Sequence, residues 1–119
     1  MNTPIPNPGL EATLERQREA YRTHPVPSLD ERKDDLRTLS RFVRENTDAI
    51  CEAINADYGH RSRHETLLAE IVPAVDGIEH TLKHLKEWMR PERVPTPLAL
   101  QVAESFIHRA PLGVVLIIG

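Results

Sequence analysis

The chain closes on Leu112-Gly113-Val114-Val115-Leu116-Ile117-Ile118-Gly119, and this run constrains the fold more than any other feature. The residues from Val114 to Ile118 are aliphatic without polar alternation, which describes a strand buried on both faces, the habit of parallel sheets covered by helices. Parallel neighbours are each reached through a crossover connection of about a dozen residues or more. The sequence stops one residue after the run. The expectation is therefore the front end of a larger α/β protein, whose remaining strands would complete the sheet.

Ahead of this run the chain reads as helical. Residues 1–9 hold three prolines and two asparagines and predict an irregular leader. From Leu10 to about Arg22, the positions Leu10, Leu14 and Tyr21 mark a modest stripe on a charged surface helix. His24-Pro25-Val26-Pro27 ends it, because a residue before proline is pushed out of the α region. Ser28 and Glu31 then form a capping box. In the helix it opens, Leu36, Leu39, Phe42 and Val43 have the spacing of a buried stripe, and Arg32, Lys33, Arg37, Arg41 and Arg44 make a solvated basic face.

A third helix follows Asn46-Thr47-Asp48, with Thr47 expected as its cap. Ile50, Ala53, Ile54 and Tyr58 should point inward, and Gly59 suits the left-handed end. Ser62 and Glu65 start a second capping box and the longest periodic segment. Leu67, Leu68, Ile71, Val72, Val75, Ile78, Leu82, Leu85 and Trp88 or Met89 continue a three-four pattern over about seven turns. Pro73 should kink this helix and Gly77 soften it. Residues 10–90 are thus the helical part. Residues 91–101, with three prolines, read as a stiff connector, and 103–119 as strands: Ala103 to Arg109, a turn at Ala110 to Gly113, then the final run. The fold class is mostly α, four helices with the last long and kinked, plus two C-terminal β-strands.

Few function classes survive the composition. A net charge of -3 spread over interleaved acids and bases argues against a nucleic-acid surface, which needs clustered basic residues. No apolar run approaches the roughly 20 residues of a spanning helix, and the amino terminus lacks a signal-peptide pattern. A cytoplasmic setting without membrane partners follows. The single cysteine, Cys51, excludes an internal disulfide and agrees with a reducing compartment. With no base identifiable beside it, Cys51 reads as a buried or half-buried thiol and not as a nucleophile.

His60 and His64, and again His80 and His84, stand four apart. Zinc needs three or four ligands and neither HExxH nor CxxC accompanies either pair, so no metal site is assigned. Glu65, Glu70, Glu79 and Glu87 read as solvated helix charges, and Ser28 and Ser62 are explained by capping. Neither GxGxxG nor a Walker loop occurs. No catalytic residue is assigned within the chain.

Several stretches together carry a resemblance. They are Arg44-Glu45-Asn46 with Ala49-Ile50, Ala53-Ile54 and Asp57-Tyr58-Gly59; Glu65-Thr66 with Glu70-Ile71; Ile78 to Trp88; and Ile107-His108-Arg109-Ala110-Pro111 running into the closing apolar segment. In these the chain resembles the amino-terminal region of the NAD(P)-dependent aldehyde dehydrogenases, in the class 3-like branch that includes coniferyl aldehyde dehydrogenases. His60-Arg61-Ser62 looks like the coniferyl-type version.

The resemblance implies an α/β parent with a Rossmann-type cofactor domain, of which residues 1–119 would be an incomplete amino-terminal part. It also implies a parent enzyme that uses NAD or NADP to oxidise an aldehyde to the carboxylic acid. There a catalytic cysteine attacks the aldehyde, an asparagine stabilises the oxyanion, and a glutamate assists hydrolysis of the thioester. None of these three motifs matches a position here, and Cys51 does not fit the nucleophile's motif. Ile118 and Gly119 match the strand end bordering the cofactor cleft, so the resemblance offers them as cofactor-binding residues. It further implies a homo-oligomer, with Ser105 to Arg109 leading toward the oligomerisation region.

Two readings stand at this point. One is a catalytically silent piece of an aldehyde-oxidising enzyme that binds no cofactor tightly by itself. The other is a stand-alone helical interaction module that lends its terminal strand to another sheet. On either reading Val114 to Ile118, uncharged and rich in β-formers, should promote self-association through an unsatisfied edge.

Overall fold

The computed structural model describes residues 8–100 and 102–117. Its elements are α1 (Pro8–Thr23), α2 (Leu29–Glu45), α3 (Thr47–Tyr58), α4 (Arg63–Thr66), a π-helical turn (Leu67–Ile71), α5 (Val72–Trp88), β1 (Glu92–Val94), a short 3-10 turn (Leu98–Leu100) and β2 (Ser105–Ile107). Among the described residues the chain is mostly helical with two antiparallel strands. These elements fall into two compact units: Ser28–His108, and α1 together with the segment that begins at Arg109.

In the larger unit the first predicted capping box and the Gly59 end are present, whereas the second box forms only its Ser62 half. Ser28 Oγ accepts from the Glu31 amide at 3.2 Å and the Glu31 carboxylate accepts from the Ser28 amide at 2.7 Å, so the capping box is complete. Gly59 ends α3 with φ of 80°, a left-handed backbone that glycine adopts without a Cβ clash. Ser62 Oγ accepts from the Glu65 amide at 3.1 Å, while the Glu65 carboxylate lies 3.6 Å from Arg61 Nε. Thr47 does not act as expected. Asn46 is at once the C-cap of α2 and the N-cap of α3, and Thr47 Oγ1 donates backward to the carbonyls of Val43 and Arg44.

The long periodic segment is one continuous helical run from Arg63 to Trp88, with its irregularity placed ahead of Pro73 rather than at it. Pro73 has no amide to donate and its ring crowds the carbonyl four residues back. The backbone widens over Leu67–Ile71, where the Val72 amide bonds the Leu67 carbonyl five residues back. A π turn of this kind inserts the extra residue that a regular ladder could not hold.

Of the stripe, Ile71, Val75, Ile78 and Leu85 are buried, and with Cys51 and Thr66 they form the core. The core arises where α2 packs on α5 and where α3 packs on α4 and the π turn. It is narrower than the periodicity implied. Leu39, Phe42, Leu68, Val72 and Trp88 are exposed, and α2 buries no residue fully. Tyr58, expected inward, faces outward with its ring 5.3 Å from the Arg61 guanidinium carbon.

Residues 91–101 are not simply a connector. Glu92 to Val94 pair antiparallel with Ile107 to Ser105, and Arg93 is tied to Glu104 at 2.6 Å across the pair. Pro91 and Pro95 flank β1, where a missing amide costs no ladder bond. The strand expected over Ala103 to Arg109 is thus present as Ser105–Ile107.

The closing apolar run departs most from expectation. Residues 108–117 form no strand, because a parallel strand exists only as part of a ladder, and among the described residues the one ladder joins β1 and β2. In the smaller unit Tyr21 Oη donates to the Pro111 carbonyl at 3.1 Å. Gly113 holds φ of 112°, a conformation that disfavours any side chain, and a Cβ there would sit 3.6 Å from the Tyr21 ring. Of the leader, residues 1–7 lie outside the described residues, and Pro8 and Gly9 open α1 instead, proline being tolerated at a first helical position. No helix among the described residues is long and apolar enough to cross a membrane.

Candidate functional site

The larger unit carries an open cleft of about 380 Å³ lined by Asp48, Cys51, Glu52, Asn55, Arg61 and Arg63. Four of these come from α3 at the i, i+3, i+4, i+7 spacing of one helical face, and the two arginines come from the turn after Gly59 and from the start of α4. Of these cations Arg63 pairs with Asp48 inside the cleft, while Arg61 pairs with Glu70, which does not line it.

Arg63 forms an ion pair with Asp48, and that hydrogen bond, reinforced by the carboxylate charge, raises the guanidinium pKa above its ordinary value. Arg61 donates to Glu70 at 2.7 Å, lies near Glu65 and stacks beside Tyr58. With only 16% of its side chain exposed, it acts as a tie between the α3–α4 turn and the π turn.

Cys51 is 5% exposed, and no histidine lines the cleft with it. A thiol nucleophile needs a neighbouring base and an approach path, so this cleft has the chemistry of a structural contact, in line with the reading of Cys51 as a buried thiol. Nor do the lining residues suit a dinucleotide. A pyrophosphate seeks free amides at a glycine-rich turn or unengaged cations, whereas Asp48 and Glu52 add negative charge and both arginines are committed to carboxylates. Ile118 and Gly119, offered as cofactor-binding, lie outside the described residues.

Thr66 in α4 is completely buried, and its hydroxyl finds no hydrogen-bond partner among the described residues. A second groove of about 400 Å³ runs past Arg44, Thr47, Ile71, Val72, Val75 and Glu79, where Arg44 pairs with Glu79 between α2 and α5.

The structure separates the two histidine pairs. His80 and His84 lie within α5 with ring centroids 4.2 Å apart, and the Trp88 ring is 5.8 Å from each. His60 precedes the Ser62 cap and His64 follows it. Sequence reasoning missed the Arg61 and Arg63 ties. The Arg61 and Glu65 spacing was a usable signal for one of them, while the Arg63–Asp48 pair, 15 residues apart, leaves no local trace.

Comparison with known proteins supplies what the geometry lacks. The model of the family described as "Aldehyde dehydrogenase family" matches residues 9–119. The chain is 42% identical over 106 residues to a probable coniferyl aldehyde dehydrogenase of Pseudomonas aeruginosa, covering 89% of this chain and 22% of that protein. It is 36% identical over 109 residues to the human aldehyde dehydrogenase family 3 member B1, covering 92% and 23%. A coniferyl aldehyde dehydrogenase of a Pseudomonas species is 32% identical over 112 residues, covering 94% and 23%. The chain thus spans less than a quarter of the length of these curated relatives.

Proposed function

This chain belongs to the aldehyde dehydrogenase family, and from that premise we propose that it forms the amino-terminal part of an NAD(P)-dependent enzyme that oxidises an aromatic, coniferyl-type aldehyde to its carboxylic acid. The observation that carries the reading is the 42% identity, over 89% of the chain, to the protein named probable coniferyl aldehyde dehydrogenase. On this reading residues 1–119 are an incomplete part of a cofactor domain, and Ile118 and Gly119 border the cofactor cleft. The enzyme works in the cytoplasm as a homo-oligomer.

The physical features agree with a supporting part. Phe42, Leu68 and Val72 are exposed apolar residues on a unit with a small core, the pattern of faces that a larger protein covers. The cleft at Cys51 is charge-paired and offers no nucleophile, so the chemistry belongs to residues elsewhere in the enzyme.

A chimera tests this. Residues 9–119 replace the matching stretch of the Pseudomonas aeruginosa relative, and coniferaldehyde-dependent NADH or NADPH formation is followed at 340 nm. Retained activity with coniferaldehyde supports the reading, and a folded chimera that turns over no aldehyde counts against it. The 119-residue chain by itself should form no reduced cofactor, and turnover by a pure sample would refute the supporting role.

A further inference from the structure

We propose that His80 and His84 form a two-imidazole chelate for a divalent late first-row transition ion, with Cu²⁺ held most tightly. The two residues stand one turn apart on the same face of α5. Their ring centroids are 4.2 Å apart with planes inclined by 36°, close enough for one ion to reach a nitrogen of each ring at metal–nitrogen distances of about 2.0–2.1 Å.

The tautomer is set by the backbone. His84 Nδ1 lies 2.8 Å from the His80 carbonyl oxygen. A carbonyl only accepts, so Nδ1 carries the proton and Nε2 keeps the lone pair. Donation of the second ring N–H to a backbone carbonyl is how metal-ligating imidazoles are oriented. Trp88, a further turn along, lies 5.8 Å from His84 with planes 20° apart and is equally close to His80.

Among the described residues no group of three or more His, Cys, Asp or Glu side chains is placed to hold a metal. The protein therefore supplies two donors, and water or an incoming ligand fills the remaining positions. Such a site differs from structural zinc, which takes four protein ligands, and it favours Cu²⁺, the ion that heads the affinity order for nitrogen donors. His60 and His64 have the same interval in sequence but straddle the Ser62 cap, so only one of them lies in a helix. Equal spacing does not make an equal chelate.

Trp88 is the single tryptophan of the chain and lies 5.8 Å from both rings, so it reports on the site. Copper(II) chloride is titrated into the 119-residue chain while tryptophan emission is recorded, and nickel(II) affinity resin gives a second readout. The expected result is saturable quenching that His80→Asn or His84→Asn each weakens on the order of 100-fold, the usual gain when a second donor binds intramolecularly. The His60→Asn, His64→Asn double variant should quench like the parent. Circular dichroism confirms that the helices of each variant are intact. Absence of saturable quenching in the parent, or undiminished quenching and resin retention in the His80→Asn, His84→Asn double variant, overturns the proposal.

Discussion

α5 and the stretch from Leu112 to Ile117 are both dense in aliphatic residues, and they end in opposite situations. α5 buries Val75, Ile78 and Leu85, whereas Leu112 is 96% exposed and Ile117 88% exposed. The difference is in the backbone. A helix satisfies its own amides and carbonyls, so α5 needs only a neighbour along one face, and α2 provides it. A parallel strand makes every one of its ladder hydrogen bonds with another strand. Apolar content therefore stabilises the first region, whereas among the described residues the second joins no ladder.

The contrast breaks most visibly if the helical core is charged. Val75→Asp places a carboxylate between α5 and its neighbours without a partner, at a cost of about 3–5 kcal/mol, as for an uncompensated buried charge. Against the marginal stability of small domains, this should abolish the cooperative melt followed by far-UV circular dichroism. A retained transition would show that the buried stripe does not hold the unit together. Leu85→Ala comes next. Removing a buried leucine should cost about 2–5 kcal/mol, read as a lower urea midpoint with an unchanged slope. A smaller effect sharpens the comparison in a different way. Ser28→Ala removes an acceptor for the Glu31 amide and should cost about 1 kcal/mol in the same urea assay, with no change in association state.

What was legible in the sequence follows the same division. Ser28, Gly59 and Ser62 were readable because caps are local: each depends on residues within one turn. The buried positions Ile71, Val75, Ile78 and Leu85 were readable from period alone. The exposure of Leu39, Phe42 and Tyr58 was not, because periodicity tells which face is apolar but not whether another element covers it. The π turn before Pro73 and the backward bonds of Thr47 were invisible for a related reason, since two local solutions were open and the surrounding backbone chose. β1 was hidden by the prolines on either side of it, which made a paired strand look like a linker. For the candidate site, the buried character of Cys51 was legible, whereas the pairing of Arg63 with Asp48 depended on how α3 and α4 fold back on each other. Family membership came from a motif-level likeness, which the comparisons bear out. No side-chain arrangement among the described residues would have supplied it.

The smallest effect on folding should come from the terminal run, and its smallness is informative. Leu116 is exposed, and residues 108–117 pair with no strand, so Leu116→Lys removes no ladder bond and opens no cavity. Stability of the helical unit should change by no more than about 0.5 kcal/mol, the range of ordinary surface substitutions. Association should change clearly. An uncharged run of β-formers offers unpaired amides and carbonyls to a second copy, and a lysine within it opposes that pairing through charge. Sedimentation velocity over a range of concentrations should show self-association in the parent chain and a monomer in the variant. If Leu116→Lys instead lowered the urea midpoint as far as Leu85→Ala does, the run would be part of the folded core, and the distinction between a helix that satisfies its own backbone and a strand that lacks a partner would fail for this chain.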